Sequence, residues 1–76
     1  MRVGDRVRLR RIPPAVRRFW SKFPDTFLLF RRAVGGTFTV RGFDNHGHIE
    51  LWLLENGSED QSGVAHSIWV EPEHLA

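Results

Sequence analysis

Cysteine and tyrosine are absent from this 76-residue chain, lysine and methionine occur once each, and no Lys or Arg follows Arg41. Without cysteine there is no disulfide to staple a small core, no thiol nucleophile and no zinc knuckle, and nothing points to an oxidising compartment. Without tyrosine, and with Lys22 as the one lysine, few groups can lose a proton at alkaline pH. The isoelectric point near 10.4 therefore reflects missing titratable groups more than a large positive charge. Long apolar runs are missing too. None is longer than four residues, as at Phe27 to Phe30, far too short to span a bilayer, and none follows the opening MRVGDRVRLRR. The expectation is a soluble, cytoplasmic protein of one domain, residues 1–76, whose size leaves its core only marginally sufficient.

What the chain does have is charge segregated along its length. All eleven cations lie between Arg2 and Arg41, where only Asp5 and Asp25 oppose them, giving 11 − 2 = +9. The other seven carboxylates, from Asp44 to Glu73, give −7, and the sum is the net +2. Such a division serves either a basic surface for an anionic partner or two halves that dock on each other.

Periodicity places the elements. Val7 and Leu9 alternate with Arg6, Arg8 and Arg10, a half-buried strand after a Gly4-Asp5 turn and stopped by Pro13-Pro14. Residues Ala15 to Phe23 read as a helical turn or an irregular loop. Asp25 or Thr26 caps a short helix carrying Phe27, Phe30, Ala33 and Val34 on one side, with Phe23 as a staple beneath and Gly35-Gly36 as the stop. A strand from Thr37 to Phe43, a turn at Asp44 to Gly47 and a strand from His48 to Leu54 follow. Glu55 to Gly63 reads as a mobile polar loop, Ala65 to Val70 as the next strand, and Glu71 to Leu75 as one helical turn with Leu75 closing the core. The core is expected from Val7, Leu9, Phe30, Val34, Phe38, Val40, Ile49, Leu51, Ile68, Val70 and Leu75.

These elements describe a mainly β protein, a small SH3-like barrel of four to five antiparallel strands with a helical insertion at about 13–36 and a terminal one-turn helix. Gly4-Asp5-Arg6-Val7-Arg8-Leu9, Gly36 to Gly42 and Ile68-Trp69-Val70-Glu71-Pro72-Glu73-His74-Leu75 resemble the corresponding strands of small uncharacterised bacterial proteins with SH3-like barrels. The Gly4 to Arg8 pattern is also similar to the start of the plasmid-borne type II dihydrofolate reductases. That family lines its pore with Val-Gln-Ile-Tyr, whereas the comparable place here reads Ser67-Ile68-Trp69-Val70, so no catalytic residue carries over. The resemblance implies fold and self-assembly only.

Two surfaces are candidates for function. Arg6, Arg8, Arg10, Arg17 and Arg18, with Trp20 among them, suit a polyanion, because guanidinium neutralises phosphate while a ring stacks on a base. The blander expectation is that the insertion folds over the barrel, its rings buried and its charges solvated or paired. Trp52 and Trp69, with Glu50, form the second candidate, a face for a protein partner or another copy of the chain, unless the insertion covers it. His46, His48, His66 and His74 lack a metal-binding spacing even with Glu50 near His48, and no acid–base or nucleophile constellation accompanies them. Pro24 and Asp25 interrupt any membrane-lying helix. The reading is a noncatalytic module without cofactor that binds a protein or itself, with a nucleic-acid accessory protein as the alternative.

Overall fold

A computed structural model describes all residues, 1–76, as a small mainly β protein with two antiparallel sheets. Strand β1 (Arg6–Arg8) pairs with β2 (Thr37–Thr39) in the first sheet. Strands β3 (Gly42–Phe43), β4 (Ile49–Leu53) and β5 (His66–Val70) form the second in that order. Helices α1 (Pro14–Arg18) and α2 (Pro24–Ala33) occupy the connection between β1 and β2, and a 3-10 turn, Pro72–His74, follows β5. No helix is long and apolar enough to cross a membrane.

Alternation along the strands decides the core, since successive side chains take opposite faces. Val7 and Leu9 point inward from β1 and its continuation, Phe38 and Val40 from β2 and its continuation, Ile49, Leu51 and Leu53 from β4, and Ile68 and Val70 from β5. The insertion adds Ile12, Leu29, Phe30 and Ala33, and Leu75 closes the cluster. Four of these, Ile12, Leu29, Ala33 and Leu53, were not among the expected core residues. Val34 was, yet it caps the C-terminus of α2 in an extended conformation and stays exposed.

The expected strand from Thr37 to Phe43 is bent into two at Val40-Arg41. The Val40 N–H donates to Asp5 O at 2.8 Å, whereas the Arg41 N–H donates to Glu50 O at 2.9 Å, so neighbouring residues belong to different sheets. On the far side of β1, the Arg8 and Ala76 backbones exchange two 2.8 Å bonds and Leu9 bridges Leu75. Strand β1 is thus flanked on both sides.

Helix α2 begins at Pro24, a residue whose fixed φ and missing N–H suit the first helical position. Neither Asp25 nor Thr26 caps it, and Phe23 is exposed rather than stapled beneath. Its C-terminus ends as expected at Gly35, whose φ of +89° costs a glycine little. The segment Ala15 to Phe23 resolves into the last four residues of α1 and a turn.

The acidic loop differs most from expectation. Asn56 and Asp60 each bind backbone or hydroxyl groups two residues on, and the chain folds back so that Glu59 bridges Leu53 on the edge of β4 opposite β5. Asp60 is buried and accepts from the Ala65 N–H at 2.8 Å and from the Ser62 hydroxyl and N–H at 2.7 and 2.9 Å. Those donors, Ala65 first, hold its carboxyl well below the usual carboxylate range.

Candidate functional site

The strand register fixes what the outer face of the three-stranded sheet presents. Glu50 stands between Gly42 and Trp69, Trp52 lies opposite Ser67, and Trp69 is therefore diagonal to Trp52 on the same face. Glu50 Oε2 accepts from the Trp52 indole N–H at 3.2 Å and from the Ser67 hydroxyl at 2.6 Å. The Arg41 guanidinium lies over the Trp52 ring at 4.4 Å from its centroid, a cation–π contact. Gly63 abuts Cε3, Cζ3 and Cδ2 of that ring so closely that a Cβ there would come within 2.8 Å. Trp52, expected on an open face unless the insertion covers it, is thus covered by Arg41 and the acidic loop. Trp69 is left 44% exposed.

Glu59 links the two charged halves. It receives Arg6 Nη1 at 2.6 Å and the Thr39 N–H at 2.8 Å, and Arg41 Nη2 lies 3.6 Å away. Partial burial pushes its carboxyl up, but the Arg6 and Thr39 bonds outweigh burial and leave it below the ordinary value. Glu59 falls in no regular periodicity, so nothing local marks it as a joint. The bond from Thr39 also occupies a backbone donor on β2 that would otherwise form part of an open edge.

A second chain of polar groups runs along the end of the fold. Asp44 Oδ2 meets His48 Nδ1 at 2.7 Å, His48 Nε2 meets Glu71 Oε1 at 3.3 Å, and Glu71 Oε2 meets His74 Nε2 at 3.2 Å. Arg11 Nε donates to His74 Nδ1 at 3.0 Å, so in neutral His74 the ring proton sits on Nε2, facing Glu71. The Asp44 bond raises the His48 pKa. Glu71's own N–H, followed by the two histidines, lowers its carboxyl. His48 and Glu50 lie on the same sheet face but serve different partners, and no group of three or more metal-ligating side chains converges.

The arginine stripe is divided by these contacts. Arg6 is held by Glu59, whereas Arg8 and Arg10 keep the exposed face of β1 and its continuation without a carboxylate partner. Of the eleven cations, Arg6, Arg11 and Arg41 pair with carboxylates, leaving 11 − 3 = 8 without one. Arg17 and Arg18 end α1, and Arg17 lines a groove of about 530 Å³ with Arg11, Glu71 and Glu73. The expectation that the insertion buries its rings holds for Phe30 and in part for Phe27 but fails for Phe19, Trp20 and Phe23, which are 45%, 56% and 60% exposed. Comparison with family models, curated proteins and solved structures returned no match.

The Arg41 N–H donates to Glu50 O and the Asp60 N–H to Trp52 O, so the Glu50 and Trp52 backbones point away from β5. In an antiparallel ladder their partners on β5, Trp69 and Ser67, then direct their own N–H and C=O groups away from β4. No backbone bond reaches these groups from elsewhere in the molecule. Strand β5 has a bare edge.

Proposed function

We propose that the chain is a noncatalytic interaction module on an SH3-like barrel, and that it associates with a second copy of itself by joining the two β5 strands. The barrel reading is supported by a circuit of pairing and chain continuity. Strand β1 bonds to β2, β2 runs on into β3, β3 to β5 are bonded in order, and β5 returns through the 3-10 turn to residues bonded to β1. The noncatalytic reading rests on how the polar groups are used. Glu50, Glu59, Asp60 and Glu71 each hold neighbouring groups in place, and Ser67-Ile68-Trp69-Val70 carries no reductase pore residues.

The carrying observation is the open, uncharged edge of β5. Native edges are commonly blunted by lysine, proline or a bulge, and His66-Ser67-Ile68-Trp69-Val70 contains no such residue, while Glu59 already blocks a donor on β2. An antiparallel copy in register at Ile68 sets Ser67 opposite Trp69 of the other copy, and the reverse. Each such pair exchanges two backbone bonds, so two pairs give four. No like charges meet within that register, and the exposed Trp69 ring gains a neighbour.

Sedimentation measured over a wide concentration range tests this. The expected result is a dimer that Ser67→Pro dissociates without unfolding, since a proline is tolerated where the lost N–H faces solvent on an edge strand. A wild-type chain that stays monomeric throughout, or a dimer that Ser67→Pro leaves intact, refutes the proposal. Circular dichroism of the variant secures the comparison.

A further inference from the structure

The end of α1 and the turn that leads to α2 carry three cations and three aromatic rings in seven residues, Arg17-Arg18-Phe19-Trp20-Ser21-Lys22-Phe23, with no carboxylate among them. Rings on the surface of a small domain are costly to hydrate, and this domain needs all the apolar burial it can obtain. Their exposure shows that the fold does not use them for its core.

Helix geometry extends the patch and keeps it basic. Phe27 and Arg31 are four residues apart, so they lie along one side of α2, and Phe23 caps the start of that helix. The Trp20 ring rests against Phe27, with centroids 6.2 Å apart. Asp25 is the only carboxylate of the insertion, and at 3.6 residues per turn it projects roughly 160° from Phe27. It lines a different depression, with Leu28, Leu29, Arg32, Glu55 and His66, toward the beginning of β5. Arg18, Lys22 and Arg31 have no carboxylate partner. Arg17 stands at the margin, because its groove also contains Glu71 and Glu73.

We infer that this surface, formed by Arg18, Trp20, Lys22, Phe23 and Arg31, binds single-stranded nucleic acid. The cations supply phosphate contacts, and the exposed rings supply stacking platforms for unpaired bases, which a duplex keeps stacked inside. A membrane surface fits less well. An interfacial helix separates a continuous apolar face from a charged one, whereas here rings and cations are mixed across the end of a five-residue helix and the turn before Pro24. This site lies away from the β5 edge and does not depend on self-association.

The test is fluorescence anisotropy of labelled mixed-sequence single-stranded oligonucleotides, with duplex DNA and phosphatidylserine vesicles as parallel probes. Three phosphate contacts predict a slope of log affinity against log salt of about −2, hence about a 20-fold loss between about 50 and about 200 mM salt. Arg18→Ala or Arg31→Ala should each reduce the slope by about 0.7, and Trp20→Ala should weaken binding about 5-fold or more while Trp20→Phe restores most of it. Arg32→Ala, on the other side of α2, should leave the slope unchanged. Absence of binding at low salt overturns the inference. So does vesicle binding without oligonucleotide binding, or binding that Trp20→Ala and Arg18→Ala fail to change.

Discussion

Gly57→Ala is the substitution that most directly tests how the acidic loop is seated. Gly57 is buried with a φ of +86°, and a Cβ added to it would lie 2.6 Å from Arg32 Cβ and 2.7 Å from the Ala33 nitrogen at the end of α2. The left-handed conformation alone costs an L-residue about 1–2 kcal/mol. Displacing helix backbone to admit a methyl group adds about 1–3 kcal/mol, as for other overpacked sites, so the total is about 2–5 kcal/mol. Gly47 provides the comparison, since its φ is +80° but nothing lies within 4 Å of an added Cβ. Gly47→Ala should therefore show the conformational cost only. In a domain of this size, about 1 kcal/mol moves the melting temperature by about 4–8 °C. Calorimetry should thus place Gly57→Ala at least about 4 °C below Gly47→Ala, with urea melts of unchanged slope confirming that stability alone has shifted. Equal losses in the two variants refute the packing of residues 55–57 against α2.

Two further expectations concern pH. Asp60 has a lowered pKa in the folded state, so its stabilising contribution is fully present above the unfolded value of about 3.9 and is lost as pH falls below it. Asp60→Ala should melt at a lower temperature near neutral pH and show a weaker acid dependence than wild type; an unchanged acid titration of stability refutes the anchoring role. His48 has a raised pKa, so its contribution is present below about 6.5 and disappears as pH rises through the folded value. Urea denaturation across that interval should show a decline that His48→Gln flattens, and an equally steep decline in the variant counts against the Asp44–His48–Glu71 chain.

How much of this was legible in the sequence depended on whether the cause was local. Alternation fixed the inward residues of β1, β4 and β5, and Gly35 marked the end of α2, because a strand's period and a glycine's conformational freedom act within a few residues. Val34 was misplaced because extrapolating the helical period past Ala33 ignores the extended backbone of the cap. Glu59 and Asp60 read locally as mobile polar residues because what holds them is bonds to distant or non-periodic partners, Arg6, Thr39 and Ala65. The local Asp60-to-Ser62 turn was the one usable sign. At the candidate surfaces, sequence located the arginines and Trp69 but could not tell that Glu59 withdraws Arg6 or that Arg41 covers Trp52.

The pairing of β1 with residues 74–76 has a consequence for the order in which the chain can fold. β2 begins at Thr37, so one side of β1 can be occupied midway through synthesis, but the Leu9–Leu75 bridge closes between positions 9 and 75. Until residues 74–76 emerge, a strand of alternating Val, Leu and Arg keeps one side open, and the core lacks Leu75. Contacts so far apart must overcome chain-closure entropy before they contribute, which places completion late and makes folding slower than the size implies. A nascent chain stalled before His74 therefore offers an incomplete sheet to its neighbours, and ribosome-bound chains of increasing length should become resistant to proteolysis only once the β1 partner has appeared.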